Sequence, residues 1–101
     1  MLQFEGRTVD GKPVFSGIYR LYETHGIPFN AIFEALDQKG GLPDWVSIIR
    51  EARDAGVTPD RAIAKIHDAV SDVFGPEFQA VVTGTLKKIV ELELLDHNKG
   101  L

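Results

Sequence analysis

Three histidines, fifteen carboxylates and no cysteine bound the chemistry this 101-residue chain can carry. Without cysteine there is no disulfide framework and no thiolate, so a metal site would have to be built from His and carboxylates. His25 stands beside Gly26 at a predicted helix end, where a partly charged imidazole suits the negative end of the helix dipole. His67 is followed by Asp68 and lies four residues before Ser71. A Ser-His-Asp reading does not hold, because neighbouring helix positions point about 100° apart. His67 is expected as a polar surface residue, and His97 falls in the polar end of the chain. No H-x-x-x-H or H-E-x-x-H spacing occurs, so no zinc set is expected. Glu51 and Asp54 share a helix face, but Arg50 and Arg53 accompany them. That pattern reads as a solvated face rather than a general acid/base pair. Gly6, Gly11 and Gly17 form neither G-x-G-x-x-G nor G-x-x-x-x-G-K-[ST], so no nucleotide cradle is expected. The residue types point away from an enzyme and imply no cofactor.

The elements that carry these residues follow from periodicity. Residues 1–14 alternate briefly and contain Asp10-Gly11, a dipeptide suited to a type I′ turn. They read as an N-terminal arm or short hairpin, in which Val14 and Phe15 could return as a second short strand that Pro13 restricts to an edge or a brief pairing. From Phe15 the period changes to that of a helix: Phe15, Ile18, Tyr19 and Tyr22 share a face. Gly26 suits the end of that helix and Pro28 the start of the next, which carries Phe29, Ile32, Phe33 and Leu36 and stops at Gly40-Gly41. Pro43-Asp44 restarts the chain ahead of Trp45, Ile48, Ile49 and Ala52. Thr58-Pro59-Asp60 is the clearest start signal, with an N-cap hydroxyl, Pro at the first position and an acid in the first turn. Ile63, Ile66, Val70 and Val73 or Phe74 form that helix's stripe. Gly75-Pro76 separates it from a last helix with apolar residues on more than one stripe.

The expected fold is therefore all-α: a compact bundle of about five short helices over residues 15–96, behind the arm, with a frayed tail over 97–101. Hydrophobic residues at 44% and charged residues at 26% exclude wholesale disorder. No apolar run approaches the roughly 18 residues needed to span a bilayer. The first residues lack a basic and then apolar leader pattern, so the expected compartment is the cytoplasm.

Two binding classes remain to be weighed. Residues 43–74 hold two helices around a short Gly-containing turn, as a helix-turn-helix requires. Its second helix would present Asp60, Arg61, Lys65, His67 and Asp68, a nearly balanced set, on a chain of net charge −4. A DNA reader would enrich Arg, Lys, Asn and Gln there, so nucleic acid is not the expected partner. Protein binding fits better. Trp45 and the Phe74/Phe78 pair are candidates for an exposed aromatic contact. On the last helix, positions 78, 81, 85, 89 and 92 suffice to dock it. A second stripe, Val82, Leu86 and Val90, would then face a partner, and a homo-oligomer is expected to cover it.

The order of features resembles a family. The segment Leu2-Gln3-Phe4-Glu5-Gly6-Arg7-Thr8 precedes an amphipathic helix from Phe15 to Glu23. Gly26-Ile27 with Phe29, Ile32 and Leu36 follows, then Trp45 to Ala55, Gly56 and Val57-Thr58-Pro59. Over roughly residues 2–95 this is similar to the small tail assembly chaperones of long-tailed phages and gene transfer agents. Lys12-Pro13 and the sharp Gly40-Gly41-Leu42-Pro43 break depart from that pattern. The resemblance implies a non-enzymatic role. The protein would bind a tape-measure protein, pass tail-tube subunits to it, and act in the host cytoplasm if the gene is viral. The alternative is a small acidic protein of phage type that blocks a host factor.

Overall fold

A three-residue loop sets the shape of the N-terminal hairpin. Strands β1 (Gln3–Arg7) and β2 (Pro13–Ser16) pair antiparallel, with a bulge at Glu5 between the Phe4–Phe15 and Gly6–Val14 pairs. At the tip, Thr8 N–H donates to Lys12 O and Gly11 N–H to Thr8 O, both at 2.9 Å. Gly11 takes a φ of 87°, and every non-glycine residue described keeps a negative φ. The expected type I′ turn at Asp10-Gly11 needs positive φ at both residues, so it is replaced by a longer loop in which only Gly11 turns left-handed. The structure, a computed structural model, describes residues 2–99, with side chains described for 2–92.

The hairpin gains a third strand. Leu42–Pro43, β3, pairs parallel to β2 through Val14–Leu42 and Phe15–Pro43, giving the order β1-β2-β3. The expected bundle of five helices stands, with the chain 67% helical, and the all-α description is corrected only by the small three-stranded sheet at the N-terminus. Phe15 belongs to the central strand and not to a helix. Its carbonyl accepts from Asp44 N–H at 2.8 Å, and its ring meets Phe4 edge-on at 6.0 Å. Pro13 is tolerated because it opens the strand, where no ladder donor is needed. The Gly40-Gly41 break is what lets β3 approach. A Cβ on Gly41 would lie 3.1 Å from the Phe15 ring, so a side chain there would push the two strands apart.

The helices follow the stripes closely. They are α1 (Ile18–His25), α2 (Phe29–Gln38), α3 (Trp45–Asp54), α4 (Pro59–Phe74) and α5 (Pro76–Lys99). Asp44 caps α3, its Oδ1 accepting from Ser47 N–H at 3.4 Å. Thr58 caps α4 in the same way through Arg61 N–H, with Pro59 in the first turn, as its sequence requires. Gly26 ends α1 with a φ of 67°. The core joins Ile18 and Tyr19 of α1, Phe29, Ile32, Phe33 and Leu36 of α2, Ile48, Ile49 and Ala52 of α3, and Ile63, Ile66 and Val70 of α4. Val82 and Leu86 of α5 close it. Because α5 runs to Lys99, residues 97–99 of the expected tail are helical; 100 and 101 lie outside the described residues.

Candidate functional site

The start of α1 shows how one side chain can tie this fold together. Gly17, at a φ of 90°, breaks the chain out of β2 into the helix but has no side chain to cap it. The cap comes instead from Glu51 on α3, 34 residues away in the chain. Its Oε2 accepts from Gly17 N–H at 3.0 Å and its Oε1 from Arg20 N–H at 3.2 Å. A carboxylate at the positive end of a helix satisfies orphan donors and meets the helix dipole favourably. Next to it, Ser16 donates to Glu5 Oε1 at 3.1 Å. The solvated face expected for Glu51 is thus corrected: the residue is only 6% exposed. Periodicity within α3 could not show this, because the reason for its burial lies on another helix.

Three of the residues singled out from sequence come together. Trp45 at the start of α3, Phe74 at the end of α4 and Phe78 in α5 form one aromatic cluster. Ring centroids are 6.2 Å apart for Trp45–Phe74, 6.2 Å for Trp45–Phe78 and 5.3 Å for Phe74–Phe78. Phe33 closes it from the core side, 5.7 Å from Trp45 and 5.8 Å from Phe74. All three candidates are half-buried. They serve as a seam between helix ends while leaving some ring surface open.

The two stripes of α5 are exchanged relative to expectation. Val82 and Leu86 are 5% and 1% exposed, and Val90 is half-buried against the same core. These three dock the helix, so Val82 and Leu86 are not free to meet a partner. Val81 and Leu92, assigned from sequence to the docking stripe, are 65% and 54% exposed. Thr85 between them is exposed and Ile89 half-buried. The stripe with the threonine is the one left outside, and the wholly apolar one is buried.

Beside that outer stripe lies an apolar groove of about 390 Å³. Val14 and Leu42 of the sheet, Trp45 and Val46 of α3, and Thr85 and Ile89 of α5 form its walls, with Thr8 at the hairpin end. A second depression, about 410 Å³, runs between α4 and α5 past Asp60, His67, Thr83 and Lys87. At His67 too the sequence geometry is overruled: its Nδ1 lies 3.2 Å from Asp68 Oδ1. Adjacent helix side chains can lean together at a surface. The pair is solvent-facing, with side chains 48% and 97% exposed. Among the described residues no group of three or more His, Asp or Glu could hold a metal ion. No described helix is long and apolar enough to cross a membrane.

Among the described residues two pKa values are displaced, in opposite directions. The Thr8 hydroxyl bonded to Asp10 holds that carboxyl below its usual 3.8, and burial pushes the Tyr19 phenol above its usual 10.0. Neither residue lines the groove or the α4–α5 depression.

No protein-family model, curated protein or solved structure matches the chain.

Proposed function

We propose that this chain is a non-enzymatic protein-binding module, acting as a tail assembly chaperone that shields an amphipathic segment of a tape-measure protein. The observation that carries the reading is the open stripe of α5. Val81, Thr85, Ile89 and Leu92 recur at helical spacing, with two large apolar side chains more than half exposed. Positions 81 to 92 span about 17 Å of helix, enough to meet three turns of a partner helix. Helix-against-helix recognition uses such i, i+4, i+8 anchors, and exposed apolar stripes of this kind mark interaction surfaces. Lys88 and Glu91 flank the stripe and would give the interface a polar rim. The titratable residues of the two depressions, Asp44, Asp60, His67 and Lys87, are exposed or half-exposed. That arrangement lacks the buried, charge-coupled groups that catalysis recruits.

Co-expression with a phage tape-measure protein from the same genome tests the proposal. The expected result is co-purification, abolished by Val81→Glu or Leu92→Glu with helix content unchanged by circular dichroism. Capture of a host enzyme in place of the tape-measure protein would favour the host-factor inhibitor. Binding that survives both substitutions would overturn the α5 surface.

A further inference from the structure

The hairpin tip is built more rigidly than a connecting loop requires. Arg7 Nη1 donates to Gly11 O at 2.9 Å, Thr8 N–H to Lys12 O, Gly11 N–H to Thr8 O, Lys12 N–H to Thr8 Oγ1 at 3.0 Å, and the Thr8 hydroxyl to Asp10. What this network presents is Val9, an apolar side chain fully exposed at the apex. Turn apices ordinarily carry Gly, Asn, Asp or Ser, which need no cover. A β-branched apolar residue held out on a fixed loop is a preorganised contact, with little conformational freedom left to lose on binding.

The groove supplies a matching hole one residue away. Thr8 lines it, and Val14, Leu42, Trp45, Val46 and Ile89 give it an apolar floor. Knob and hole therefore sit side by side on one molecule. A two-fold operation that seats one copy's knob in the other's groove seats the reverse pair at the same time, which is the condition for a closed dimer. Charge agrees with this pairing. Lys12 is exposed on the knob and Asp44 stands on the groove wall, so each Lys12 would approach the partner's Asp44. Pairing through the sheet edge is disfavoured, because the bulge at Glu5 interrupts the outer strand's ladder.

We infer that the groove is the docking site for the Val9 hairpin tip of a second copy of this chain, giving an isologous dimer. The site is complete only with the second copy's valine in place. This contact shares Thr85 and Ile89 with the α5 stripe that carries the proposed chaperone role, but it rests on Val9 and Lys12, which that stripe does not use, so substitution at the hairpin tip tests the dimer alone.

Light scattering behind size exclusion, over a concentration series into the hundreds of micromolar, tests it. The full chain is expected at twice the 11.2 kDa protomer mass at the upper end. Val9→Asp should give the protomer mass at every concentration, with circular dichroism unchanged and a melting temperature equal to the wild type's at dilutions where both are protomers, because the residue is fully exposed in the protomer. Lys12→Glu should raise the midpoint of dimerisation about tenfold. A wild type that stays at protomer mass throughout overturns the inference. So does a dimer that persists in Val9→Asp, and one that dissociates only in Leu92→Glu places the seam on α5 instead. Binding of tape-measure protein by the Val9→Asp variant would show the chaperone proposal standing independently of the dimer.

Discussion

Helix α5 carries two apolar stripes about 100° apart, and they have opposite fates. Val82, Leu86 and Val90 seal the core, while Val81 and Leu92 stand in solvent on either side of Thr85 and Ile89. Helix α3 repeats the contrast with charge: Glu51 is buried as the cap of α1, while Asp54, three residues on, is exposed. In both helices residues of the same chemical class are sorted by what the neighbouring helix offers. Apolar character alone does not put a residue inside, and charge alone does not put one outside.

The largest expected effect tests the sorting on α5. Leu86→Ala should lower stability by about 2–5 kcal/mol, because it opens a cavity in the core. Leu92→Ala should change it by no more than about 0.5 kcal/mol. Chemical denaturation of the two variants side by side reads the difference directly, and equal losses would mean that both stripes are packed. On α3, Glu51→Ala should cost about 2–3 kcal/mol, since two helix N–H groups lose a charged acceptor. Asp54→Ala should be nearly neutral. Hydrogen exchange at the Gly17 and Arg20 amides separates the cap from a general loss of stability, because those two amides should lose protection first. A smaller effect belongs to Thr58→Ala, which removes the N-cap of α4 and should cost about 0.5–2 kcal/mol. A neutral result there would mean that α4 begins elsewhere.

The smallest effect concerns the hairpin tip. Asp10 has a folded pKa below its ordinary 3.8 because the Thr8 hydroxyl bonds the ionised form. A depressed carboxylate pKa contributes stability that is present above the ordinary value and lost as pH falls through the folded one. The amide resonances of Val9 to Lys12 should therefore shift together below pH 4, and Thr8→Val should move that transition upward toward the ordinary value. A transition unmoved by Thr8→Val would separate the tip's order from this hydroxyl.

Most of the helical architecture was legible in the residues. The Phe29, Ile32, Phe33, Leu36 stripe is buried as spaced, Thr58-Pro59 starts α4, and Gly26 and Gly75 stop the helices that precede them. These signals are local: a cap bonds a residue three positions away, and a stripe repeats within four. What stayed hidden depends on distant partners. Phe15 has helical spacing with Ile18, Tyr19 and Tyr22 and was also open to a second short strand with Val14; it lies in β2, paired with Phe4, and what the local pattern did not show is the arrival of Leu42 and Pro43 on its other side. The candidate surface was legible in part. Trp45, Phe74 and Phe78 were found as aromatics at helix ends, but their assembly around Phe33 needs three helices in place.

By itself, then, the sequence determined five helices with their caps and breaks, and left residues 1–14 as either an arm or a hairpin. Each rests on interactions within a turn or two of chain, where spacing and residue type suffice. Tertiary structure decided the third strand, the burial of Glu51 and which face of α5 remains open. Those outcomes depend on which surfaces meet. A helix bearing two apolar stripes can dock by either, and the surfaces of the helices it meets settle which. Val82 and Leu86 meet the core while Val81, Thr85 and Leu92 stay exposed, a distinction that spacing within α5 does not carry.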